Sequence, residues 1–223
     1  MDVSTTEKEA TETDKSFCAN VSKQFGLHML KNADFIALML LMFGVFFTFS
    51  CGQFLFGLGK EILGLTSTEI AFVLSVASAF EILSRPVCGV IFDLPIVRPH
   101  KKNLWILAGL LCGTSLIILP FSDSFAMFFV MWILYVMFAS ILHVQQLDII
   151  SDLVGSKNLA SAMGLMRFSM GLGLLLGPTL GGMLKDRYDT YLYSFILLGS
   201  SIVVFFSVFK LVECTRSILK RKL

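Results

Sequence analysis

The sequence predicts an all-α transmembrane protein, a six-helix bundle with both termini in the cytosol. Three observations carry that prediction. Hydrophobic residues make up 56% of the 223 and charged residues 15%, where an average soluble domain carries roughly 25% charged residues. So few charges cannot cover a soluble surface without leaving large apolar patches, and the mean hydropathy is +0.80. Second, six apolar runs approach the about 20 residues that cross ~30 Å of hydrocarbon at ~1.5 Å each. Third, Lys and Arg are distributed unevenly between the loops.

Residues 1–31 are polar, with Lys8, Lys15, Lys23 and Lys31 against Asp2, Glu7, Glu9, Glu12 and Asp14. No apolar stretch follows a basic start, so the segment does not read as a signal peptide. Stretches such as Ser4–Ser16 bury too little apolar surface to offset chain entropy, and a disordered cytosolic tail is expected. The spans follow at Phe35–Gly59, Ile70–Phe92, Leu104–Pro120, Phe125–Leu147, Leu159–Leu184 and Tyr191–Phe209, forming a bundle over residues 32–212. The third is the shortest and is expected to borrow a turn from Phe121. Residues 213–223 form a basic cytosolic tail.

An even number of crossings puts both termini on one side. With that side inside, the tails and inner loops hold thirteen Lys and Arg, and the outer loops hold three: Lys60, Lys185 and Arg187. The positive-inside rule therefore places both termini in the cytosol.

The net charge of +2 gives no reason to expect a nucleic-acid partner; the bilayer is the partner the composition demands. Five Cys, an odd number, argue against a disulfide framework. Cys51, Cys88 and Cys112 read as packing residues, and Cys214 as either a free thiol or a palmitoylation site. Short loops leave no room for an extramembrane catalytic domain. Neither an HExxH pair nor a GxSxG elbow is present, so neither an enzyme nor a metal or other cofactor is expected.

Glu81 and Arg85 lie four residues apart near the middle of the second span, hence on one helix face. A charge at that depth costs several kcal/mol even on lenient scales, about 2.5–3.5 kcal/mol. One reading is a structural ion pair that locks the bundle. The other is functional: Arg85 binds an anion through its planar fork, and Glu81, released by that anion, carries a proton. Pro86 leaves the carbonyl of residue 82 without its helical donor.

Four other residues are candidates for gating or secondary roles. Asp93, followed by Arg98, Lys101 and Lys102, reads as an interhelical latch or as a solvated turn. Arg167, about 12 Å into the fifth span, reads as a snorkelling or gate residue or as a substrate contact. His143, with Tyr135, Ser140, Gln145 and Gln146, makes half of the fourth span polar, as a packing residue or a proton relay. Gly173, Gly177 and Gly181 recur every four residues and predict close helix packing.

A weak inverted repeat relates Pro86–Asp93 of the second span to Pro178–Asp186 of the fifth, as in transporters built from three-plus-three units. Three stretches together resemble the C-terminal half of a monocarboxylate transporter of the major facilitator superfamily. They are Ala79–Gly89 (AFEILSRPVCG), Asp152–Leu165 (DLVGSKNLASAMGL) and Leu176–Gly182 (LGPTLGG), and the likeness runs from about residue 25 to residue 212. The resemblance implies one half of a major facilitator fold and proton-coupled transport of small monocarboxylates such as lactate or pyruvate. It implies Arg85 as the carboxylate-binding residue and Glu81, in place of the family's Asp, as its proton-linked partner; Arg167 departs from the pattern.

Family members have twelve spans, so the resemblance also implies a missing N-terminal half or a second copy of the chain. It further implies a plasma-membrane location and a single-span immunoglobulin-like glycoprotein as a companion. The alternative function is a non-transporting scaffold or regulator that associates with a full-length carrier.

Overall fold

The structure is a computed structural model that describes residues 27–222; the expected tail over residues 1–26 lies outside the described residues. The last part of the expected tail, Leu27–Lys31, forms a short 3-10 turn with Met29 buried against the bundle. Seven α-helices follow: α1 (Ala33–Phe49), α2 (Cys51–Leu63), α3 (Ser67–Asp93), α4 (Lys101–Ile118), α5 (Phe125–Val154), α6 (Leu159–Tyr188) and α7 (Leu192–Lys222). They make six membrane-length apolar crossings, with α1 and α2 sharing the first.

Local chemistry explains where the helices begin and end. Asn32 caps α1 by accepting the amide of Asp34 at 3.0 Å. Thr66 opens α3 with a capping box, accepting the amide of Glu69 while the Glu69 carboxylate accepts the amide of Thr66. Ser124 caps α5. At the C-terminus of α2, Gly64 adopts φ of 61°, the left-handed region that a glycine enters without a β-carbon penalty.

The helices outrun their apolar sequence runs. α5 continues seven residues past Leu147 to Val154, and α7 thirteen past Phe209 to Lys222. A helix needs no apolar residue once its own backbone bonds are made, so polar turns extend it into the interface. The shortest run begins three residues earlier than expected, at Lys101, and a 3-10 turn over Leu119–Phe121 extends it.

The first crossing is broken at Ser50, whose hydroxyl donates to the carbonyl of Phe47 at 2.8 Å. Beside the break, Thr48 donates to the carbonyls of Gly44 (3.0 Å) and, on α7, Leu198 (2.9 Å).

Packing follows the inverted repeat. α1 packs on α6 and α7, as α5 packs on α3 and α4; α4 and α7 meet each other. Exchanging the first three crossings with the last three maps these contacts onto themselves, leaving α6 against α7 as the exception. α1 and α4 are the most enclosed crossings, whereas α3 and α6 lie at the edges with wide exposed faces. Trp105, Phe35, Phe128, Phe195 and Phe206 fill the core.

Candidate functional site

α3 has three unlike faces. Ile70, Val73 and Ala77 are buried, and Glu81 continues their line at helical spacing. Phe72, Leu83, Val87 and Val90 form an exposed apolar flank suited to lipid. The opposite flank carries Ser75, Ser78, Arg85 and Gly89. The two serines donate to the carbonyls of Ala71 and Leu74, so their hydroxyls are satisfied within the helix.

Glu81 and Arg85 form the expected ion pair, through Arg85 Nη2 and Glu81 Oε1. The guanidinium side chain is 53% exposed and the carboxylate side chain 30%, so the pair stands at the bundle's open face and not in its core. Arg85 has no other partner among the described residues. Glu81 lies within electrostatic range of Tyr135 on α5.

Tyr135 is buried with its ring 5.0 Å from that of Trp132. The Cys112 thiol donates to its carbonyl at 3.8 Å. Cys51 and Cys112 are buried free thiols, as the sequence suggested. Among the described residues, the buried polar atoms Trp132 Nε1 and Gln145 Oε1 have no hydrogen-bond partner.

His143 leaves α5 toward α1. Its Nδ1 donates to the carbonyl of Ala139 at 2.8 Å, which fixes the proton on that nitrogen because a carbonyl only accepts. The ring lies 5.5 Å from both Phe46 and Phe49, centroid to centroid.

The other candidates are not brought to Arg85. Asp93, Arg98 and Arg167 are exposed, and among the described residues none forms an ion pair. Ser169, two residues beyond Arg167, donates to the carbonyl of Met39 at 2.8 Å, so Arg167 stands near the end of the bundle that carries both described termini.

At that end the lysines after Asp93 turn away from it. Lys101 meets Asp152 of α5 at 2.7 Å, and Lys102 meets Glu213 of α7 at 2.9 Å. With Asp34 they line a cavity of about 320 Å³ above Leu38 and Phe209, separate from the Glu81–Arg85 pair. The sequence offered no signal for these partners, which lie 51 and 111 residues away. At the opposite end, Glu61 accepts from the Thr190 hydroxyl and from the Tyr191 amide at 3.0 Å, a carboxylate at a helix N-terminus where the dipole favours it. Among the described residues no three His, Cys, Asp or Glu side chains group in a way that would hold a metal ion.

Six long apolar crossings, an inverted pairing of the helices and an ion pair at the open face define a membrane transporter bundle. A family profile for the Major Facilitator Superfamily matches residues 35–221, and the chain belongs to that family of transporters, not to a family of enzymes.

Within the superfamily the chain is similar to monocarboxylate transporters. It is 30% identical over 141 residues to monocarboxylate transporter 3 of Gallus gallus, an alignment covering 63% of this chain and 26% of the relative. Monocarboxylate transporter 4 of the same species is 27% identical over 140 residues, 63% of this chain and 30% of the relative. Monocarboxylate transporter 12 of Xenopus laevis is 26% identical over 192 residues, 85% of this chain and 41% of the relative. The chain thus spans between about a quarter and two fifths of the length of these relatives.

Proposed function

We propose that the chain forms one half of a proton-coupled carrier of small monocarboxylates, with Arg85 as the carboxylate contact and Glu81 as the proton carrier. The observation that carries this reading is the Glu81–Arg85 ion pair on the polar flank of α3, at the face the six helices leave open. A carboxylate arriving there competes with Glu81 for the guanidinium fork. Once displaced, Glu81 has the like charge of the substrate beside it, which a proton on Glu81 would neutralise. Anion and proton then travel together as a neutral pair, which removes most of the cost of carrying charge through hydrocarbon.

The relatives' names support the substrate class, and their greater length supports a second half that completes the cavity. That half is either a separate N-terminal portion or a second copy of the chain. The Lys and Arg distribution supports placing both termini in the cytosol, and the plasma membrane is the location in keeping with exchange of such anions with the surroundings.

The test is uptake of labelled lactate or pyruvate at about pH 6 and about pH 7.5, bracketing the range in which a proton-linked carrier should change rate. Arg85→Ala is expected to abolish uptake, and Glu81→Gln to remove its acceleration at low pH. Unchanged uptake in Arg85→Ala discards the assignment. The chain's short coverage of its relatives favours one second reading, a non-transporting regulator of a full-length carrier. Surface expression without uptake, together with co-purification of a full-length carrier or of a single-span immunoglobulin-like glycoprotein, would favour it.

A further inference from the structure

We propose that the cavity at the terminal end of the bundle is a binding site for a small zwitterion, a primary ammonium and an acid group carried on an apolar body. The proposal is independent of the Arg85 site and of the transport reading above.

Four helices build this cavity of about 320 Å³, a volume at the lower end of small-ligand pockets (~300–1,000 Å³). Its rim carries both signs of charge: Lys101 and Lys102 of α4 against Asp34 of α1, Asp152 of α5 and Glu213 of α7. Its floor is apolar, lined by Leu38, Ile149 and Phe209, all buried. Beneath it the fully buried Trp105 packs edge-on against Phe209 with centroids 6.2 Å apart, so the floor rests on the bundle core.

The rim charges are joined across helices. Lys101 reaches Asp152 at 2.7 Å and Lys102 reaches Glu213 at 2.9 Å. Lys210 approaches Glu213 from outside the cavity at 3.3 Å. An ammonium has three donors and a carboxylate about four acceptor positions, so these pairs leave hydrogen-bonding capacity on both signs. Lys102 also stands 5.4 Å from the centre of the Phe209 ring, which brings a rim cation directly over the floor.

This mixture of signs selects the ligand class. An anion alone would set a further negative charge beside carboxylates that already hold the lysines. A cation alone would set a further positive charge beside the lysines. A zwitterion meets both signs and adds no net charge, and its apolar body gains by leaving water for the floor.

Depth suggests where such a ligand comes from. Every lining residue lies within six residues of an end of an apolar run, about 9 Å along a helix. That places the cavity at the level of the headgroup layer. The shared chemistry therefore has two sources, the aminoethyl phosphate headgroup of a phospholipid or a free amino acid from the aqueous side.

The experiment uses the purified full chain carrying Arg85→Gln, so that binding at the transport site does not contribute. In phosphatidylcholine nanodiscs, labelled leucine is compared with its two halves, isocaproate without the ammonium and isoamylamine without the carboxylate. For the lipid source, native mass spectrometry reads which headgroup is retained from an equal mixture of phosphatidylethanolamine, phosphatidylcholine and phosphatidylglycerol. Phosphatidylcholine is the control whose quaternary ammonium donates no hydrogen bond.

Leucine binding at least about tenfold tighter than either half, the worth of one further hydrogen bond to a charged group, assigns a free amino acid. Several-fold preferential retention of phosphatidylethanolamine over both other lipids assigns the headgroup. Asp152→Asn and Lys102→Gln should each weaken the observed binding several-fold; the exposed pairs they break contribute little to stability, and thermal unfolding checks that both fold. The comparison of leucine with its halves needs no rim variant. If leucine has no advantage over its halves and phosphatidylethanolamine none over phosphatidylglycerol, the proposal is overturned. Binding that both variants leave unchanged overturns it too, because the ligand then sits elsewhere.

Discussion

Gly177 of α6 lies against the carbonyl oxygen of Phe47 so closely that a β-carbon at position 177 would stand 2.3 Å from it. One turn earlier, a β-carbon on Gly173 would approach the carbonyl oxygen of Phe43 to 2.4 Å. These glycines let α6 touch the backbone of α1 beside its break at Ser50. Backbone atoms cannot swing aside as a side-chain tip does, so the contact tolerates no larger residue. Gly177→Ala should therefore separate the helices and cost about 1–3 kcal/mol, as overpacking does. Gly164→Ala and Gly171→Ala, with nothing within 4 Å of the added carbon, should be neutral or stabilising by up to ~1 kcal/mol. Thermal unfolding of the three variants in one detergent checks the contrast.

Thr66→Ala should remove the side chain that accepts the Glu69 amide at the start of α3. The loss of an N-cap is typically worth ~1 kcal/mol, and because α3 packs mainly on α5 the effect should be local. Amide hydrogen exchange over residues 67–70 should accelerate while exchange in α6 is unchanged.

Lys101 and Asp152 tie α4 to α5 at 2.7 Å, with Asp152 largely exposed. An exposed pair of this kind is worth between 0 and about 1 kcal/mol. Lys101→Glu should lower stability by no more than that, and less in high salt. The double exchange Lys101→Glu with Asp152→Lys should recover the loss. A melting series at two salt concentrations reads both effects.

Arg85→Lys keeps the charge and loses the planar fork. If Arg85 holds a carboxylate through two bonds, the lysine variant should bind labelled pyruvate at least about tenfold more weakly, the worth of one hydrogen bond to a charged group (~1.5–3 kcal/mol). Equal binding by the two would show that only the charge matters there.

Much of this architecture is legible in the chain before folding. Six apolar runs, the spacing of Glu81 and Arg85 and the repeat of glycines at 173, 177 and 181 depend only on helical periodicity and on the cost of charge in hydrocarbon. Each survives as a helix, an ion pair and a close helix contact. The break at Ser50 was not legible, because Phe35–Gly59 carries neither a charged residue nor a proline. Thr48 donates across to Leu198 on α7 beside that break, and a partner 150 residues away leaves no local trace.

The candidate site divides in the same way. Sequence alone singled out the candidate residues, because an ionisable group within an apolar span is costly and therefore conspicuous. Beyond the Glu81–Arg85 pair and the turn from Asp93 to Arg98, it could not group them: His143 and Arg167 stood as separate positions. The fold set the Glu81–Arg85 pair at an exposed face of α3, turned His143 toward Phe46 and Phe49 of α1, set Arg167 near the terminal end and left Asp93 without its basic loop. Helical period fixes which side chains share a face of one helix; only packing between helices fixes their relative height and rotation.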